Sequence, residues 1–162
     1  DWPMLMIDYP SSQGYAEWLS EKTGKKWRIP FELEWEKASR GTDRRIFPWG
    51  NFFDYNWANA YGSLEKSYPA SIHSFELDIS PYGVCGMGGN FRDWTSSVFS
   101  LEGPDCRGKR YQETLVQGSE ISRVTRGGHW STAKESCQVN IRSSYNEKIR
   151  LWYVSLRLVR DL

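Results

Sequence analysis

Regular alternation of apolar and polar positions is confined to a few stretches of this chain. With Ser11 or Ser12 as N-cap, Tyr15, Trp18 and Leu19 recur at helical spacing and Gly24 follows as a stop, which predicts one short helix packing an aromatic face. A second helix is predicted just after Pro30. Glu32, Glu34 and Glu36 lie early, Lys37 and Arg40 late and Gly41 beyond, an order that complements the helix dipole, and Phe31, Trp35 and Ala38 form the expected buried stripe. The opening residues Asp1 to Ile7 read as a strand already inside a fold, so further chain is expected before Asp1. Ile121 to Thr125, Gln138 to Arg142 and Tyr153 to Val159 alternate as half-buried strands do, with Val154, Leu156 and Leu158 on one face. Helices followed by strands predict an α+β domain with two short helices, a small antiparallel sheet and a large share of irregular loop.

The stretch from Phe47 to Pro69 is rich in rings, Gly and Asn without a sustained period, which predicts ordered loops, because disordered segments rarely hold so many aromatics. Gly103 to Gln112 is strongly polar and reads as a surface insertion. At 162 residues the chain fits a single domain, 1–162, able to bury a core without staples. Aromatic residues make up 15%, nine of them Trp, while mean hydropathy is −0.66, so the core is expected to consist of large rings wedged between irregular segments.

Charge narrows the functions. Twenty-one basic against twenty acidic residues give a formal charge of +1, which supplies no broad phosphate-attracting field and argues against nucleic acid as a partner. No apolar run approaches the ~20 residues a bilayer span requires, and no signal-peptide pattern opens the chain. The cysteines Cys85, Cys106 and Cys137 are odd in number and widely spaced, which fits neither a disulfide scaffold nor a CxxC knuckle and favours a reducing, cytoplasmic compartment. With only His73 and His129, a His-rich zinc or iron site is not expected, whereas hard-metal binding through oxygen stays open.

Several blocks then line up in order: Trp18-Leu19-Ser20-Glu21-Lys22-Thr23-Gly24, Arg28-Ile29-Pro30 with Glu34-Trp35-Glu36-Lys37-Ala38, Phe47-Pro48-Trp49-Gly50-Asn51, Pro81-Tyr82-Gly83-Val84, Gly89-Asn90 with Asp93-Trp94, Arg126-Gly127-Gly128-His129-Trp130, and Leu156-Arg157-Leu158-Val159. Together they resemble the formylglycine-generating enzyme (sulfatase-modifying factor) family over nearly the whole chain. The resemblance implies a C-type-lectin-like fold and a domain that lacks, or is cut from, the family's N-terminal strand region. In the family's catalytic branch a spaced pair of cysteines binds copper(I) and uses dioxygen to oxidise a substrate cysteine to formylglycine. On this sequence the second cysteine falls on Cys137, the first on Thr132, and the serine of the preceding block on His129. A hydroxyl does not replace a thiolate toward copper(I), so copper is not expected, no catalytic residue is assigned, and Cys137 would serve only if oxidase activity survived.

In relatives that are targets of diversity-generating retroelements, the segment corresponding to 129–153 resembles a randomised ligand-binding face. Its composition here, rich in Ser, Tyr, Trp, Arg and Asn, is the one that paratopes favour. The expected ligand-contacting residues are His129, Trp130, Thr132, Lys134, Asn140, Arg142, Tyr145, Arg150 and Trp152, with a protein, peptide or small molecule as partner. Trp130 and Arg142 serve equally well as core-knitting residues. The resemblance also implies a structural calcium ion held by Asn90 and Asp93, with a weaker carry-over to Asn59; the bland alternative is a turn in which Asn90 satisfies backbone groups.

Three functions follow. The leading one is a non-catalytic binding module working through residues 129–153. The second is an altered copper-dependent formylglycine-generating oxidase using Cys137. The third comes from Ser80-Pro81-Tyr82-Gly83-Val84, which looks like versions of the domain appended to bacterial serine/threonine kinases, where it would be a sensor arm of a longer polypeptide; no kinase motif lies within this chain.

Overall fold

The structure, a computed structural model, describes residues 1–104 and 120–161. Helix α1 spans Tyr9–Thr23. It starts earlier than the serines suggest, because Asp8 is the N-cap and its carboxylate accepts the Ser11 N–H at 2.8 Å. Ser12 is instead buried inside the first turn, with its hydroxyl on the Asp8 carbonyl at 2.9 Å. Gly24 closes the helix in the left-handed conformation (φ 66°) and donates to Ser20 O. The buried positions are Tyr9, Ser12 and Ala16, so the helix lies against the body on small side chains. Tyr15 and Trp18, expected inside, stack on each other at 5.6 Å on the exposed side, with Lys22 over the indole. Residues 1–8 form no strand; Ile72 N–H donates to Asp1 O, and Trp94 Nε1 donates to Ile7 O.

A two-residue strand, β1 (Trp27–Arg28), leads into α2 (Glu32–Arg40). Glu34 reaches back to the Phe31 N–H at 2.8 Å and forks onto Arg28 at 2.7 Å, fixing the start of α2. The buried face of α2 is Glu32, Trp35 and Ser39, whereas Phe31 and Ala38 are only half-buried. Glu32 can sit on the inward stripe because Arg126 and Arg142 from the sheet come to meet it.

The sheet has four strands, β2 (Arg92–Val98), β3 (Ser122–Arg126), β4 (Arg142–Asn146) and β5 (Val154–Ser155), in the order β4-β3-β2-β5. It is mixed rather than purely antiparallel, since β2 and β5 run parallel. β6 (Val159–Arg160) leaves it to pair with β1. Gln138 to Arg142 is not a strand: a 3-10 turn, Lys134–Cys137, precedes it, and pairing begins only at Arg142. Tyr153 to Val159 divides between β5 and β6. The polar stretch Gly103 to Gln112 lies, from residue 105 onward, outside the described residues.

Rings fill the core. Trp94, fully buried, meets Tyr9 edge-on at 6.2 Å and Tyr145 at 6.5 Å, with Ile29 and Val154 beside it. A second cluster under the 47–60 loops stacks Phe47 on Trp49 at 5.4 Å and buries Cys137. Among the described residues no helix is long and apolar enough to cross a membrane.

Candidate ligand-binding face

β3 is followed by Gly127 and Gly128, and the chain then turns on itself. Thr132 makes that turn: its Oγ1 accepts the His129 N–H at 3.0 Å and donates to His129 O at 2.9 Å. A methyl group added at Gly128 would lie 2.8 Å from Cys137 Sγ, so the sulfur is packed against this backbone and points into the body of the domain. Cys137 is 1% exposed, and burial pushes its thiol far above its ordinary value. Thr132 is occupied by the turn and Cys137 by the core, so the two residues at the copper positions offer one buried, protonated sulfur and one committed hydroxyl. They do not fit a cuprous ion.

From this turn a run of rings leads outward. Buried His129 stacks on Tyr153 at 4.2 Å and 13°, and burial, with the Arg92 charge beside it, pushes the imidazole down to about 4, so it is neutral at pH 7. Tyr153 meets Tyr145 at 6.1 Å, and Tyr145 rests on Trp94. On the other side of His129, Trp130 meets Trp152 edge-to-face at 6.0 Å, and Trp152 is 62% exposed. His129, Trp130, Tyr145 and Trp152 are thus brought together, joined by Tyr153. The indole Nε1 of Trp130 is buried and has no hydrogen-bond partner among the described residues.

The remaining expected contacts separate. Arg142 forks onto the buried Glu32 at 2.6 and 2.9 Å, and Arg150 pairs with Asp8 at 2.8 Å, tying the 147–150 turn to the start of α1. Lys134 and Asn140 lie exposed. Sequence reasoning missed Arg92 and Tyr153. Arg92 is 5% exposed, donates from Nη1 to Gly127 O at 2.7 Å and bears on Tyr145, Tyr153 and Cys137. Its only signal in the sequence is a cation set between Phe91 and Asp93 in an otherwise buried strand.

Asn90 and Asp93 are placed by the same strand. Asn90 takes a left-handed φ of 70°; its Oδ1 accepts from Asn59 Nδ2 and Ala70 N–H, both at 2.9 Å, and its Nδ2 donates to Ala70 O. Asp93 Oδ2 accepts Trp35 Nε1 at 2.8 Å and Arg157 Nε at 2.9 Å. Asn90 Oδ1 and Asp93 Oδ2 thus knit the loops, while Asn59 Oδ1 is buried without a hydrogen-bond partner among the described residues; no group of three or more His, Cys, Asp or Glu suited to a metal occurs among the described residues. Both residues line a cavity of about 370 Å³ together with Asn59, Asp78, His73 and Arg157. Burial lifts the Asp78 carboxyl to about 6 against the Gly88 and Gly89 N–H groups that it accepts.

Comparison with known proteins decides the ancestry of this arrangement, because the model of the sulfatase-modifying factor enzyme 1-like domain matches residues 1–162. The chain belongs to this family. Among curated proteins, the chain is 27% identical over 148 residues to the serine/threonine-protein kinase pkn1 of Chlamydia caviae, a match covering 89% of the chain and 22% of the kinase. Among solved structures, PvdO from Pseudomonas aeruginosa superposes with a TM-score of 0.85 at 25% identity, covering 99% of the chain and 62% of PvdO. The variable protein 1 of Treponema denticola superposes with a TM-score of 0.61 at 27% identity, covering 83% of the chain and 47% of that protein. The chain therefore spans about a fifth of the kinase's length and less than two thirds of PvdO. The match and these superpositions bear out the expected family and its α+β fold.

Proposed function

We propose that this sulfatase-modifying factor domain is a non-catalytic binding module whose ligand, a protein, peptide or small molecule, contacts the ring-rich surface of residues 129–153. The observation that carries this reading is the joint fate of Thr132 and Cys137, whose side chains hold a turn and fill the core, beside a Trp130–Trp152 pair in which Trp130 is half-buried and Trp152 is exposed. Exposed rings backed by a rigid cluster suit recognition, since they present area at low entropic cost. The likeness to a variable protein of Treponema denticola supports the same use of the scaffold.

Two measurements test it. Iodoacetamide on the folded protein is expected to label the exposed Cys85 and to spare Cys137 until denaturant is added; rapid labelling of Cys137 in the native state restores the oxidase reading. A sulfatase-type Cys-x-Pro-x-Arg peptide incubated with the domain, copper(I) and dioxygen is expected to show no mass loss at its cysteine.

A second reading, a sensor arm of a longer kinase polypeptide, is favoured by the match of 89% of the chain to part of pkn1. Determining the full coding sequence tests it: a catalytic kinase segment in the same reading frame supports this reading, and its absence removes it.

A further inference from the structure

Buried arginines in this domain follow a rule with one exception. Arg126 pairs with Glu36 and Glu32, Arg142 with Glu32, Arg123 with Glu147 and Arg157 with Asp93. Arg92, as buried as Arg123 at 5% exposure, forms no ion pair among the described residues, and its one side-chain hydrogen bond among them runs from Nη1 to the Gly127 carbonyl. Nε is buried without an acceptor, and Nη2 donates to none among the described residues. The vacant edge is thus the pair of parallel N–H groups that matches the two oxygens of a carboxylate. A buried cation without a counter-charge costs several kcal/mol by general experience, so a domain that retains one is expected to use it.

A second vacant donor stands in the same cluster of rings. Trp130 Nε1 is buried and unpartnered, and its ring adjoins His129, which in turn stacks on Tyr153 beside Arg92. Two buried donors, with no acidic side chain among the described residues to meet them, specify what is missing. We propose that Arg92 receives the carboxylate of a ligand whose apolar body lies against the Trp130–Trp152 pair, with Trp130 Nε1 as an accessory donor. The proposal rests on 129–153 being the binding face and adds the chemical class of its ligand.

The test uses four probes: 3-phenylpropionate and N-acetylphenylalanine, a small acid and a peptide C-terminus, and the neutral amide of each. Binding is followed by the ¹⁵N resonances of arginine Nε and tryptophan Nε1, with Arg92 identified by its loss in Arg92→Met. At least one acid is expected to bind roughly tenfold or more tightly than its amide, as loss of a charge-assisted hydrogen-bond pair implies, and to shift Arg92 Nε and Trp130 Nε1. Whichever acid wins tells whether free acids or chain ends are preferred. Arg92→Met is expected to abolish the acid-over-amide preference while melting at or above the wild-type temperature, because it removes an uncompensated buried charge. A merely structural Arg92 would instead lower the melting temperature and leave the preference intact. Acid and amide binding equally, with the tryptophan resonances moving and Arg92 still, overturns the carboxylate inference but leaves the binding face standing. No shift at either tryptophan with any probe counts against both. If Arg92→Met does not fold, the acid and amide comparison on the wild type still decides.

Discussion

Arg126 and Arg92 lie on adjacent strands of one sheet and are almost equally hidden, at 1% and 5% exposure, yet they are held in opposite ways. Arg126 lies over Trp35 and is met by Glu32 and Glu36 of α2 and by the Val139 carbonyl. Arg92 faces rings and a single carbonyl. The first arrangement binds helix to sheet: its charges compensate one another, although Arg126 Nε, like Arg92 Nε, has no acceptor among the described residues. The second leaves Nε without an acceptor among rings and without a counter-charge among the described residues. Burial alone therefore does not separate a structural cation from a ligand-receiving one; the presence of a carboxylate partner does.

The comparison can be broken in several ways. The largest effect is expected from Glu32→Gln, which leaves Arg126 and Arg142 short of a shared counter-charge and should cost about 3 to 5 kcal/mol in urea unfolding; a loss under about 1 kcal/mol would mean that the network is slack and the contrast with Arg92 unfounded.

Next comes the pH dependence of His129. Its imidazole is held down to about 4 from an ordinary 6.5, so the unfolded chain binds the extra proton between these values. The stability that a neutral His129 confers is full above pH 6.5 and is lost as pH falls toward 4. Asp78, lifted to about 6, works in the opposite direction, its share of stability falling as pH rises from its ordinary 3.8, but it is common to wild type and variant. The stability gap between the wild type and His129→Phe should therefore shrink on acidification across this window. A gap independent of pH would show that Arg92 and burial do not act on the ring.

Smaller still is Trp152→Ala, expected to change stability by no more than about 0.5 kcal/mol while weakening any ligand that shifts the Trp130 resonance; a large stability loss would place this indole in the fold rather than on the face. A similarly small effect on stability, and none on ligand binding, is expected of Arg150→Ala. Its pair with Asp8 is exposed on the arginine side and should contribute under about 1 kcal/mol, whereas a greater loss would make Arg150 part of the structural network.

How far the sequence foretold this differs from element to element. α2 was legible because Pro30, the early glutamates and Gly41 are local signals that the backbone obeys wherever the helix sits. β2 was not, since Arg92, Asp93, Trp94 and Thr95 are all buried and a strand covered on both faces shows no alternation. The exposed stack of Tyr15 on Trp18 reversed the expected face of α1, because periodicity marks one side of a helix without saying which side the body covers. In the candidate site, Trp130, Tyr145 and Trp152 stood out by residue type. Arg142 and Arg150 looked the same in the sequence, which gives no sign that they pair with carboxylates 110 and 142 residues away.

Local chemistry within the sequence determined the family, the α+β class, the two helices and the missing second thiol, since each depends on residue identity at short range or in fixed order. Tertiary structure alone decided which buried cations are neutralised and which donors are left vacant. Electrostatic compensation is a property of distance in space, and the partners that supply or withhold it come from parts of the chain that no short-range pattern connects.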